Sequence, residues 1–97
     1  MIMNVRRIMP PARALLYDGT NKRELFEFTN TNYRDVKSRL NLSGTEEDYL
    51  NNSSTDIKFI YKNVMYGAYA GNVICIEDGI LYLYNSLSAF RSIFTEV

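Results

Sequence analysis

Residues 73–84, VICIEDGILYLY, constrain the fold more than any other stretch of this chain. Two short apolar runs flank Asp78-Gly79. That dipeptide suits a type I′ turn, whose two central positions both need positive φ. A two-residue turn fixes register, so Glu77 faces Ile80, Ile76 faces Leu81, Cys75 faces Tyr82, Ile74 faces Leu83 and Val73 faces Tyr84. Paired residues share a side of the sheet, and sides alternate along each strand. One face is then Ile74, Ile76, Leu81 and Leu83, all aliphatic and the natural core side. The other is Val73, Cys75, Glu77, Ile80, Tyr82 and Tyr84, mixed and tyrosine-bearing. A slip of one residue would exchange the two faces.

Strand texture extends upstream of this hairpin. Ile57, Phe59 and Tyr61 alternate with Lys58, Ile60 and Lys62. A turn at Lys62-Asn63 leads into a strand over Val64 to Tyr69, and Ala70-Gly71 turns the chain into Val73 to Glu77, giving a β-meander. Before it, Ala12 to Tyr17 reads as a short strand closed by Asp18-Gly19. Asn21 with Glu24 three residues on suggests a capping box opening a helix to about Phe28, with Leu25 and Phe28 on one face. Residues 29–32, TNTN, end that helix, because their side chains compete for backbone hydrogen bonds. A second helix starting at Thr31 or Asn32 carries Tyr33, Val36 and Leu40 at helical spacing. Residues 41–56 read as a polar loop with a short helical piece around Glu46 to Leu50. SLSAFRS, residues 86–92, suits a short terminal helix, and Ile93 to Glu96 a closing strand. The expected fold is one α+β domain over residues 1–97. It has an antiparallel β-meander sheet of four to six strands and two or three short helices packed on one face, here Leu25, Phe28, Val36 and Leu40 over the aliphatic side.

The chemistry that is missing narrows function. The 97 residues include no histidine, which removes the commonest general base, nucleophile activator and zinc ligand. No catalytic residue, metal site or cofactor site is expected: there is no glycine-rich phosphate loop, and the one cysteine, Cys75, reads as a small buried hydrophobe. Glu46-Glu47-Asp48 reads as a solvated cluster. Eleven basic and eleven acidic residues cancel, which argues against nucleic acid as a partner. Lys58 and Lys62 read as solvent ends of an edge strand, where lysine discourages edge-to-edge pairing. No run approaches the roughly 18 apolar residues of a membrane span. Residues 1–11 read as an N-terminal arm, in which Arg6, Arg7, Pro10 and Pro11 interrupt any signal-peptide core. A cytoplasmic location is the expectation.

The segment ARALLYDGTNKRELFEF resembles the opening of small tailed-phage and prophage accessory proteins named for a Pro-Gly-Asp-Tyr-Gly motif. YAGNVICIEDGILYLYNSLSAFRSIFTEV is similar to their second half. Gly71 stands where the motif has its first glycine, Gly79 where the family has its hairpin glycine and Phe90 at its helix phenylalanine. Ala70, Asn72 and Val73 replace the motif's Pro, Asp and Tyr. The resemblance implies a phage or prophage origin, a location in the host cytoplasm and a host-directed role. It carries no catalytic residues.

These readings combine into one leading expectation: a non-enzymatic accessory protein that binds and modulates a host protein, such as a defence or regulatory factor. Tyr82 and Tyr84, with Tyr66 and Tyr69, are the candidate contacts, since aromatic anchors supply affinity over a small area. A second expectation is an oligomeric sponge for a small nucleotide-like ligand, held by Arg6, Arg7, Arg13 and the 41–56 loop. A third is a virion component forming a homo-oligomer through the tyrosine face.

Overall fold

The computed structural model describes residues 12–92. The arm at 1–11, with Arg6 and Arg7, and the strand expected at Ile93 to Glu96 lie outside the described residues. The element order is β1 (Arg13–Leu16), α1 (Lys22–Thr29), α2 (Tyr33–Leu40), α3 (Glu46–Leu50), β2 (Ile57–Tyr61), β3 (Val64–Ala68), β4 (Val73–Glu77), β5 (Ile80–Tyr84) and α4 (Leu87–Arg91). The class is α+β with antiparallel strands, as the sequence suggests.

Both hairpins close on two-residue turns with positive φ at both central residues. Asp78 and Gly79 stand at 51° and 73°, and Lys62 and Asn63 at 47° and 69°. The β4–β5 register is the one Asp78-Gly79 dictates, from Glu77 opposite Ile80 to Val73 opposite Tyr84. β2 pairs with β3 in the same manner, Tyr61 opposite Val64 through Ile57 opposite Ala68.

The strands do not form one meander. They divide into a three-stranded sheet ordered β1-β4-β5 and a separate β2-β3 hairpin. The cause is competition for one edge of β4. β1 occupies it, with Leu15 opposite Ile74 and Leu16 opposite Val73. Tyr17 extends that pairing through the connection, its N–H donating to Asn72 O at 2.9 Å and its carbonyl accepting from Gly71 N at 2.6 Å. β3 is thereby excluded from β4, and the segment expected as a simple turn at Ala70-Gly71 becomes a crossing between sheets.

Asparagine and threonine set the helix boundaries. Asn30 and Asn41 end α1 and α2 in the left-handed conformation, and the Asn32 side chain caps α2 by accepting from Arg34 N. The box expected at Asn21 and Glu24 does not form. Asn21 instead accepts from Asp18 N and donates to Leu16 O and to Glu24, holding the β1–α1 turn. A reciprocal box does open α3, between Thr45 and Asp48.

One core draws on both sheets: Ile74, Ile76 and Leu81 of the aliphatic face meet Phe59, Ile57 and Ile60 of β2, with Leu25, Phe26, Val36 and Leu50 from the helices. Tyr17 sits within it, its hydroxyl donating to Thr55 O at 2.8 Å. Helices α1 and α2 cover β2 rather than lying directly on β4 and β5. Leu40 is exposed, and Leu50 of α3 takes the core place expected for it. Nor do all helices share a face. α4 lies on the opposite side of the three-stranded sheet, where Phe90 packs with Val73, Cys75, Tyr84 and Leu87.

Candidate functional site

The tyrosine-bearing face is built by three strands in register. Leu16, Val73 and Tyr84 form one row, Ala14, Cys75 and Tyr82 the next, and Glu77 faces Ile80 at the hairpin end. α4 covers the first row and reaches Cys75 of the second. Its Ser86 cap accepts from Ala89 N, which fixes the helix entry, and Phe90 then meets the Tyr84 ring edge-on at 5.6 Å and 71°. Beyond α4 the face is open: Ile80 is 53% exposed, Leu16 44% and Tyr82 42%. Cys75 is closed to solvent beneath this layer, and burial, then the charge of Glu77, pushes its thiol up from the ordinary value, away from the reactive thiolate. Burial likewise raises the Tyr84 hydroxyl, helped by the acidic groups of Cys75, Tyr82 and Glu77.

Hydrogen-bond phase makes the outer edge of β5 part of this site. In a hairpin closed by a two-residue turn, the residues flanking the turn exchange both bonds, and every second pair does so after them. Glu77 with Ile80, Cys75 with Tyr82 and Val73 with Tyr84 therefore bond across the pair. Leu81 and Leu83 turn their N–H and C=O groups outward, and these meet no other described residue. The same phase leaves Ala14 and Leu16 of β1, and Met65 and Gly67 of β3, pointing outward. Those two edges carry charge: β1 opens on Arg13, and the Lys58 side chain lies against Gly67. β5 reads ILYLY and carries none.

The four tyrosines chosen from the sequence do not form one surface. Tyr82 and Tyr84 share the β5 face. Tyr66 belongs to the other sheet, half-buried against the core with its ring stacked on Phe59 at 5.6 Å. Tyr69, 63% exposed, follows β3 and lines a small pocket of about 140 Å³ with Tyr49, Asp56 and Lys58. Grouping Tyr66 and Tyr69 with Tyr82 assumed one continuous meander, and the split into two sheets separates them.

Of the ligand site expected from Arg6, Arg7, Arg13 and the 41–56 loop, only Arg13 and the loop fall among the described residues. Arg13 is exposed, its guanidinium 5.2 Å from the centroid of the Phe28 ring, away from both the Tyr69 pocket and the cleft beside Lys22. The loop does line that cleft: Leu50, Asn51, Asn52, Ser53 and Thr55 face Asp18, Gly19, Thr20 and Lys22 across a volume of about 360 Å³. The cation there is Lys22, which the sequence presents as an ordinary first-turn helix lysine. Among the described residues no cluster of three or more acidic, cysteine or histidine side chains is placed to hold a metal, and no helix is long and apolar enough to cross a membrane.

Compared with known proteins, the chain matches no family model, no curated protein and no solved structure.

Proposed function

We propose that this chain is a non-enzymatic binding protein whose partner adds an extended strand to the outer edge of β5. One observation carries this reading: among the described residues β5 is an edge strand with outward backbone donors and acceptors at Leu81 and Leu83, no charge along it, and Ile80 and Tyr82 exposed beside them. Strand addition obtains affinity from main-chain hydrogen bonds and specificity from side chains at alternate positions. Ile80 and Tyr82 would flank the incoming strand on the open face, with Tyr84 and Phe90 walling one end. Natural edge strands that face solvent usually carry a lysine, a proline or a bulge against such pairing. β5 has none of these devices.

The resemblance to phage accessory proteins makes a host protein the partner we favour, and modulation of that protein the role. The test joins capture with mapping. Wild type and an Ile80→Lys/Tyr82→Lys variant serve as baits for host lysate, and the retained protein is then purified with the wild-type chain for hydrogen exchange. A partner lost by the variant, with new protection of the Leu81 and Leu83 amides in the purified pair, supports the reading. A partner held equally by both, or protection confined to other segments, overturns it. Light scattering of the free chain shows whether a second copy fills the same edge.

A further inference from the structure

The cleft between the β1–α1 turn and the 50–55 loop holds an unusual charge. Lys22 is only 2% exposed, yet no carboxylate among the described residues stands within ion-pair distance of it. Its ammonium donates to Asn52 O at 2.8 Å and Asn52 Oδ1 at 3.0 Å, both neutral acceptors. An ammonium has three donors, so one N–H is left without an acceptor among the described residues. Burial lowers the lysine's pKa, and nearby charge makes no contribution to the shift. Lys22 lines the cleft together with the loop residue Asn52 that it bonds, so the charge lies at the cleft wall.

The walls suit an oxyanion. Asn51, Ser53 and Thr55 line the cleft with amide and hydroxyl groups. The Ser53 and Thr55 side chains make no hydrogen bond to another described residue. The cleft volume of about 360 Å³ admits a small organic ligand. One further wall residue limits its charge. Asp18 lines the same cleft, and its carboxylate is held below the ordinary value by the Thr20 hydroxyl and the backbone N–H groups of Thr20 and Asn21. It stays ionised, so one cation and one anion face any occupant.

We infer that the Lys22 cleft is a binding site for a small, singly charged oxyanion, a carboxylate or a phosphodiester, which takes the free N–H of Lys22 and the hydroxyls of Ser53 and Thr55. The site is separate from the β5 edge and does not depend on the docking reading. Charge-assisted hydrogen bonding supplies the attraction, and partial burial strengthens it relative to water. A multiply charged phosphate is disfavoured by Asp18.

The experiment titrates the full chain with acetate, with dimethyl phosphate and with inorganic phosphate at pH 8. Chloride holds ionic strength constant while backbone amide shifts are followed by NMR. Saturable shifts confined to residues 18–22 and 50–55 are expected with acetate, dimethyl phosphate or both, and whichever binds identifies the ligand's chemistry. In Lys22→Met the affinity falls by about tenfold or more. Lys22 also ties down Asn52, so this variant could lose its fold. Ser53→Asp, at an exposed position, keeps the fold and places a carboxylate in the cleft, and it abolishes the same shifts. Shifts that do not saturate, that lie elsewhere, or that persist unchanged in a folded variant overturn the site. Tighter binding of inorganic phosphate than of either monoanion overturns its charge assignment.

Discussion

The two hairpins of this protein are near copies in backbone and opposites at their outer edges. Each has five-residue strands, a two-residue turn and the same hydrogen-bond phase. In β2 the outward positions are Lys58 and Ile60, and side-chain hydroxyls close both. The Tyr49 hydroxyl accepts from Lys58 N at 2.9 Å and donates to Lys58 O at 3.1 Å. The Thr31 hydroxyl does the same for Ile60, at 3.3 Å and 2.9 Å. In β5 the equivalent positions, Leu81 and Leu83, meet no such hydroxyl among the described residues. A hydroxyl is both donor and acceptor, so one side chain can satisfy a residue's N–H and C=O together. Among the described residues that device is applied twice to one hairpin and not to the other. The contrast teaches that the open edge is not a general failure of a small fold to protect its strands.

Opening the closed edge should have the largest effect. Thr31→Val with Tyr49→Phe keeps shape but strips the cover from four backbone groups of β2. Each substitution should cost about 1–2 kcal/mol, and the pair about 2–4, because the two sites bond separate residues. Chemical denaturation measures the loss directly. A double variant as stable as wild type would mean that water closes the β2 edge equally well, and the comparison with β5 would lose its force.

Alkaline pH should press on the same cover without mutation. Burial, with the charges of Asp56 and Asp18, pushes the Tyr17 hydroxyl up to about 12, and burial raises Tyr49 as well. Each phenol donates to a carbonyl that leads into or lies in β2, Thr55 O and Lys58 O. The unfolded chain ionises its tyrosines near 10, while folded Tyr17 holds its proton to about 12. Between those values the folded state binds more protons, so stability falls as pH rises and is unaffected below the window. The Tyr17 share is on the order of 2 kcal/mol. Tyr17→Phe should flatten this part of the profile in melts between pH 9 and 12. An unchanged slope would place the alkaline loss elsewhere.

Local signals made both hairpins legible. Asp78-Gly79 and Lys62-Asn63 name turns whose geometry then dictates every pairing across β4–β5 and β2–β3. The division of the sheets was not legible, because it follows from β1 reaching β4 across some 60 intervening residues, and no local pattern marks which strand will win a shared edge. That one event moved Tyr66 away from Tyr82 and set α4 alone on the open face. Lys22 was hidden for a similar reason. Its burial comes from a loop 30 positions away folding over it, while its own neighbours read as an exposed first turn. Alternation within a single hairpin put Tyr82 and Ile80 on one face but left their exposure open, since Val73 and Cys75 share that face and are buried beneath α4.

The crossing that joins the closed and open halves offers the next test. Asn72 is buried between them, its Oδ1 accepting from Tyr69 N at 2.8 Å beyond β3 and its Nδ2 donating to Asn85 O at 3.2 Å beyond β5. Asn72→Ala leaves both backbone groups without these partners and should cost about 2 kcal/mol. Asn72→Asp keeps the acceptor but buries a carboxylate and turns one of its oxygens on the Asn85 carbonyl, so at neutral pH its cost should be the larger of the two. Equal stability of all three chains, read from denaturation midpoints, would show that the backbone bonds of Tyr17 hold the crossing alone.

The smallest stability effect belongs to the open edge itself, and it carries the sharpest contrast. Ile80→Lys with Tyr82→Lys changes side chains that already face solvent, so stability should move by less than about 1 kcal/mol. Hydrogen exchange in the wild-type chain reads the edges side by side. The Lys58 and Ile60 amides, bonded to hydroxyls, should be protected, and the Leu81 and Leu83 amides should exchange fast although their side chains lie in or against the core. Burial of a side chain and bonding of its own amide are separate properties in a strand, because alternation governs the first and hydrogen-bond phase the second. Fast exchange at Leu81 and Leu83 beside slow exchange at Ile74 and Ile76, in the same sheet, would isolate the edge from the core. Strong protection at Leu81 and Leu83 in the isolated chain would mean that something already occupies the edge, and a dependence of that protection on protein concentration would identify it as a second copy.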